Sequence, residues 1–460
     1  MKKRLILSQL LLALTLGPLA WYGPVLFGNE KAHHQSIASF AGVKLESSRF
    51  MTDVSRTPAG KLVSNKPPGF PLLMMPAFLL IRSMEALNLA PPSEDLEFRL
   101  LKVFALLFSG MVFFLMVLLG TEHAGFSFRT SYLVGFTTVY ATLIFPYSTL
   151  LVVHVPSAVL VLAAYYFGLE HNRSPNSRKA FWGMLCASFS CVVDYANLFA
   201  IIPSVVLLTR QSFRAGTLIP CLAGAVFPGL MLLSYNLLVF GKLFTVSYSS
   251  LQPPSYVAWP GVIGSFANNP LPTFVSFLFS KSRGIFVLHP VLLLSIPGIW
   301  LSHRKGFSVT SQMAFVSFLS AVFFLSFYLY WHGGNSVGSR HILTAIPFLC
   351  LFLGFAMENG RWMRVGYAVF LVISMLTALL AYWIQVDDVA IHLTWLHEPQ
   401  NIHGSFYELL APVALSGNGV NSPVSFSFLA VYLFVIIPAL HLAVYRFYLV
   451  PSTGSKRNSA

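Results

Sequence analysis

The sequence predicts an all-α polytopic membrane protein with about twelve transmembrane helices, in a range of roughly 11–13. Composition is the first reason: of 460 residues, 56% are hydrophobic and only 10% charged, against about 25% charged in soluble domains. Patterning is the second. Apolar runs of about twenty residues recur along the whole chain, the length a helix needs to cross the hydrocarbon core of a bilayer. The runs are continuously apolar with no period-two alternation, which excludes a transmembrane β-barrel.

The elements follow in order. The start, MKKRLILSQLLLALTLGPLAWYGPVLF, has the basic end and apolar core of a signal peptide. It lacks a clear small-x-small cleavage site and stays apolar to Phe27, so it reads as an uncleaved first helix over 5–27 with its basic end in the cytoplasm. Further spans are expected at 100–119, 132–147, 151–169, 180–194, 196–208, 218–240, 285–301, 313–331, 342–357, 365–383 and 426–445. The fifth and sixth abut at Asp194. No internal repeat is visible, and residues 1–460 read as a single membrane domain. The four cysteines (Cys186, Cys191, Cys221, Cys350) all fall inside apolar runs and form neither a disulfide framework nor a zinc spacing.

Sidedness turns on SNKPPGFPLLMMPAFLL, residues 64–80. It is polar and basic, breaks at Pro-Pro-Gly, and is then apolar for about eleven residues, short for a span. If it lies flat, the basic loops EHNRSPNSRK, TRQSFR, SHRK and ENGRWMR fall on the cytoplasmic side with both termini and the tail 448–460. If it spans, the basic loops after the first spans fall outside, against the positive-inside bias. Charge therefore predicts an interfacial helix here, with a short tilted span as the alternative. The same bias accounts for the formal charge of +14 and removes the case for a nucleic-acid partner. Three long extracytoplasmic loops result, at 28–99, 241–284 and 385–425. Loops of that length are uncommon unless functional, so the site is expected on that face.

Carboxylates are scarce, fifteen in all. Asp194, in FSCVVDYANLF, ends a span and is the one acid placed in or against the membrane. It is either functional or a packing carboxylate. Asp53, in the first loop, is either a general base or a turn acid paired with Arg56. His154 starts a helix in LLVVHVPSA and is either ligand-orienting or structural. The cations are better placed. Arg283 lies in KSRGIF, and Arg340 ends the glycine-rich turn WHGGNSVGSRH, which also holds Trp331, His332 and His341. Glycine lets backbone approach an anion, and arginine offers a planar fork to phosphate. With Lys66 they make a site for a lipid-linked phosphate, the alternative being tight-turn glycines and headgroup-binding arginines.

The stretch GKLVSNKPPGFPLL after an acid in the first loop resembles the GT-C superfamily of membrane glycosyltransferases. It is most similar to the protein O-mannosyltransferase and aminoarabinose transferase branch (glycosyltransferase family 39-like). HVPSA, the Asp194–Tyr195 pair, YNLLVFGKLFTVSY, SRGIFVLHPVLLLSIPG and WHGGNSVGSRHILTAIPFL follow in order, the likeness weakening after about Met357. The resemblance implies an inverting transfer of a sugar from a polyprenyl-phosphate donor to an envelope lipid, glycan or protein on the extracytoplasmic face of a bacterial cytoplasmic membrane. The base would be the first-loop carboxylate, Asp53, with Asp194 as the other candidate. Lys66, Arg283 and Arg340 would hold the donor phosphate, and His154, Tyr195, Trp331, His332 and His341 would line the substrate pocket. No D-x-D stands in that loop; a divalent metal is left open and no other cofactor is implied. The rival readings are a transporter or lipid flippase, and a non-catalytic assembly subunit with a transferase-like fold. The expected partners are the polyprenyl-phosphate donor and membrane lipids.

Overall fold

The computed structural model of the chain describes residues 2–22, 29–43, 54–250, 265–280, 283–331, 333, 337–386 and 430–449. Asp53, His332 and the loop 385–425 beyond Val386 lie outside these residues. The chain is an all-α polytopic membrane protein. The helices long and apolar enough to cross a membrane are Gly69–Ala86, Glu94–His123, Leu218–Phe240, Arg340–Met357 and Arg361–Tyr382. Shorter apolar helices include Gln9–Trp21, Val309–Leu325 and Tyr432–Tyr445.

The first helix, α1 (Lys2–Tyr22), packs along α4 (Glu94–Leu118). Ser93 caps α4 by accepting the Leu96 N–H at 3.4 Å, and Glu94, Asp95 and Glu97 in its first turn suit the positive end of the helix dipole. A π turn, Leu119–His123, closes it. Next come α5 (Phe128–Tyr140), α6 (Ile144–Ser148), α7 (His154–Arg173), α8 (Ser177–Val193), α9 (Asn197–Arg214) and α10 (Leu218–Phe240). Large apolar side chains such as Ile219, Phe227, Leu230 and Leu238 on α10 are exposed, as expected where the surroundings are lipid.

Two expected spans are broken. The run 132–147 splits into α5 and α6, because Pro146 has no N–H and its ring clashes with the carbonyl four residues back. The run 285–301 splits into α12 (Ile285–Leu288), a 3₁₀ turn Pro290–Leu294 and α13 (Ser295–Arg304). There Pro290 forces His289 out of the helical region, to φ −134° and ψ 74°. The expected loop 241–284 also carries a ten-residue helix, α11 (Pro270–Phe279), with Pro270 at its start. The last described helices are α14 (Val309–Leu325), α15 (Ile346–Met357), α16 (Arg361–Val386) and α17 (Ile437–Leu449). Every residue of α15 is buried. Gly298 of α13 meets it so closely that a Cβ there would lie 2.0 Å from the Phe352 carbonyl oxygen. Small residues at such crossings let helices pack where lipid supplies no hydrophobic drive.

Contacts fix which helix ends lie together. His154, starting α7, meets Asp194 just beyond α8. At the other end of α7, Glu170 meets His123 at the end of α4. The start of α4 is therefore at the Asp194 end of the bundle. Against that end lie α2 (Asn29–Phe40), a hairpin of β1 (Val54–Arg56) and β2 (Leu62–Ser64), and α3 (Gly69–Ala86). The hairpin pairs Val54 with Ser64 and Arg56 with Leu62, and Gly60 turns it at φ 78°.

The helix α3 is longer than the apolar run suggests, 18 residues, because its helix runs on past Leu80 through Arg82 and Glu85. Length alone would let it span. Its N-terminal Gly69 abuts the backbone of Val192 and Val193 at the end of α8. Near its C-terminus, Arg82 Nε lies 2.9 Å from Glu97 Oε2 in the first turns of α4. Both ends of α3 thus touch the same end of the bundle, and its face Phe70, Met74, Phe78 and Ile81 packs on Ile37, Phe98, Leu101, Leu151 and Val193. A Cβ on Gly69 would fall 2.6 Å from Val192 and Val193 backbone atoms. Gly69→Ala is therefore expected to destabilise the protein by about 1–3 kcal/mol through overpacking. A lowered melting temperature in detergent would show it, and an unchanged one would mean that α3 can ride off α8 freely.

Candidate functional site

Asp194 occupies the turn between α8 and α9 and ends α8 with extended backbone, φ −151° and ψ 119°. Its N–H still reaches the Ser190 carbonyl at 2.9 Å, and Asn197 Nδ2 donates to the same carbonyl at 2.8 Å. The Asp194 Oδ1 accepts the Ala196 N–H at 3.1 Å. This Asx turn fixes the carboxylate and leaves Oδ2 facing His154 Nδ1 at 3.6 Å, an ion-pair separation rather than a hydrogen bond.

His154 is the first residue of α7, with Pro156 in the first turn, where a missing N–H removes no intrahelical bond. Its ring stands edge-on to Tyr147 (centroids 5.5 Å) and to His341 (6.4 Å), and His341 stands edge-on to Tyr328 (5.4 Å). Among the described residues, the buried Nε2 of His154 has no hydrogen-bond partner, nor has the Nε of Arg340. Both are polar atoms with unused capacity at one place.

Cations surround this pair. The charges of Arg340 and Lys66 both act on His154, and that of His341 acts on Asp194. Arg283 Nη1 donates to the Gly338 carbonyl at 3.3 Å and lies within electrostatic reach of Arg340. Burial lowers the Arg283 guanidinium to about 10, so it keeps its charge at neutral pH. Lys66 is also buried, 7% exposed. It follows the hairpin, which Ser247 ties down by donating to the Asn65 carbonyl and accepting at its own carbonyl from Ser55 Oγ, both at 2.5 Å.

The two helix breaks wall the site. Tyr147 of α6 donates to the Val337 carbonyl at 3.0 Å. Gly338, at φ 66°, packs between Leu143 and Leu288, where a Cβ would fall 2.7 Å from Leu143 Cδ1 and 3.0 Å from Leu288 Cδ1. Only glycine meets both demands.

Of the residues expected from sequence, Lys66, His154, Asp194, Arg283, Arg340 and His341 come together. Tyr195 follows Asp194 and stands beside Ser247. The Trp331 indole packs edge-on to Phe277 at 5.3 Å, and its carbonyl accepts from Ser339 Oγ at 2.6 Å, bracing the loop before Arg340. Asp53 and His332 are outside the described residues. Tyr147 and Tyr328 were not foreseen; the only signal was a tyrosine near a span end.

Two further acids, Glu30 and Glu97, are buried in the protein, at most 1% exposed. Both are matched by partners invisible in the sequence. Glu30 accepts the Leu151 N–H at 2.6 Å, and Glu97 contacts His34 at 2.5 Å as well as Arg82. Among the described residues, three possible metal-ligand atoms gather within 4.8 Å only at Glu122, His123 and Glu170. That group lies at the opposite end of the bundle, where Lys179 holds Glu170 at 2.9 Å.

No family model matches the chain, and no curated protein matches it either. Among solved structures it is similar to ArnT from Cupriavidus metallidurans in the apo state, with 13% identity and a TM-score of 0.48, over 95% of this chain and 76% of that one. It is also similar to the arabinosyltransferase EmbB from Mycobacterium smegmatis, with 13% identity and a TM-score of 0.45, over 95% of this chain and 41% of that one. Both likenesses are distant; the chemistry of this site is read from the residues around Asp194.

Proposed function

We propose that the chain is an inverting membrane glycosyltransferase that moves a sugar from a polyprenyl-phosphate carrier to an envelope acceptor. The observation that carries this is one fixed carboxylate, Asp194, paired with His154 and set among Lys66, Arg283 and Arg340. A carboxylate accepts the proton of the acceptor hydroxyl as its oxygen attacks the anomeric carbon. The bond from that carbon to the phosphate oxygen breaks, and the lipid phosphate leaves with the added negative charge. Cations fixed in a place of low dielectric stabilise that charge more in the transition state than in the ground state. Asp194 is the carboxylate at this cluster, and Asp53 of the first loop is the other candidate base. The acceptor would be a lipid, glycan or protein on the extracytoplasmic face of a bacterial cytoplasmic membrane, with both termini inside.

A transporter of an anionic lipid is favoured by one observation, the helix breaks at Pro146 and Pro290 beside the site, since transporters bind at such breaks. One experiment separates the two. Membranes holding the protein are incubated with a radiolabelled polyprenyl-phosphate sugar, and label is followed into lipid, glycan and protein. Transfer to an acceptor is expected; vectorial uptake without incorporation would sink the enzyme reading.

A further inference from the structure

At the far end of the bundle from Asp194, a cavity of about 450 Å³ opens between α9 and α14. It is an open groove, apolar along Ile202, Pro203, Val206, Met313 and Val316, of which Val206 and Val316 are themselves 58% and 46% exposed. Toward the ends of the helices the lining turns polar, with Arg210 and Arg214 one helical turn apart on α9 and Gln211, Gln312 and Asn172 around them. No carboxylate lines it. Among the described residues neither arginine has an ion pair or a hydrogen bond, and both are exposed. At the same end Lys179, by contrast, is held by Glu170 at 2.9 Å.

We propose that this cavity is a binding site for one anionic glycerophospholipid, its phosphate held by Arg210 and Arg214 and an acyl chain laid along the apolar wall. Along α9 the lining changes from apolar at Ile202, Pro203 and Val206 to cationic at Arg210 and Arg214, the order in which a bilayer lipid presents tail and headgroup. A basic pocket between transmembrane helices suits an anionic headgroup, and arginine offers phosphate a two-pronged set of donors. Pro203 sits in the middle of α9 and faces the cavity. It frees the Phe199 carbonyl, which accepts from Ser320 Oγ at 2.7 Å. The site is distinct from the donor site, since α9 runs the length of the bundle between them: Asn197 abuts the Asp194 turn and Arg214 ends the helix.

The test uses the full chain in nanodiscs or detergent. Binding of phosphatidylglycerol, phosphatidylcholine and tail-free glycerol phosphate is compared by native mass spectrometry and by melting temperature. Phosphatidylglycerol should stay bound and raise the melting temperature, phosphatidylcholine should bind roughly tenfold more weakly or less, and glycerol phosphate should do neither. The double variant Arg210→Gln/Arg214→Gln should lose the preference for phosphatidylglycerol, while Val206→Trp, which fills the wall, should lose both lipids. Because the readouts are ratios between lipids on one sample, a general loss of stability does not mimic them. Equal binding of the two lipids by the unchanged protein, or an unaltered preference in the arginine variant, overturns the proposal. Glycerol phosphate binding as tightly as the lipid would show an anion site without the lipid.

Discussion

Asp194→Asn is expected to lower sugar transfer by roughly 10²–10⁴-fold, the usual worth of a positioned general base, with the protein present at its normal level. The change keeps the shape of the side chain, and the amide oxygen can still accept the Ala196 N–H that sets the turn. What it removes is the negative charge beside His154 and the capacity to take a proton. Stability is expected to change little, because Asn197 and the α8 backbone still tie the turn to Ser190. The assay is label transfer from a polyprenyl-phosphate sugar in membranes, run beside Asp53→Asn. If Asp194→Asn transfers at a near-normal rate while Asp53→Asn is inactive, the base lies in the first loop and Asp194 is a packing carboxylate. If both are near normal, neither acid is the base.

Arg340→Ala should cut transfer by roughly 10²–10³-fold, the scale on which one preorganised donor acts at a developing oxyanion. Its guanidinium enters the site from the first residue of a 3₁₀ turn, with a buried Nε that has no hydrogen-bond partner among the described residues. It shares the surroundings of His154 with Lys66 and those of Arg283 across Gly338. Arg340→Lys keeps the charge but loses the planar fork, so it should recover part of the activity. A variant that saturates at the same donor concentration and turns over at the same rate would show that the leaving phosphate is held elsewhere.

Much of this was legible before any coordinates. The runs over α7, α8, α9 and α10 were marked by length and hydropathy, because a bilayer imposes both on a helix. Lys66, His154, Asp194, Arg283 and Arg340 stood out because polar groups are costly at span ends and so are few. What was hidden depended on distance. Glu30 and Glu97 read as loop acids because burial is set by the packing of α2 and α3, and that packing pairs residues 63 positions apart. The breaks at Pro146 and Pro290 were written in the sequence, yet hydropathy does not register them, since a broken helix is as apolar as a straight one.

The clasp of Gly338 between Leu143 and Leu288 has a thermodynamic consequence. It fixes the backbone that joins Arg283, which donates to the Gly338 carbonyl, to Arg340 two residues on, and each of these like charges feels the other. Their mutual repulsion opposes the packing that holds them. An anion that settles between them removes that repulsion, and whatever binds the folded chain alone shifts the folding equilibrium toward it. The donor's phosphate would then act as a keystone as well as a substrate, and each departure of the product would return the protein to its less stable form.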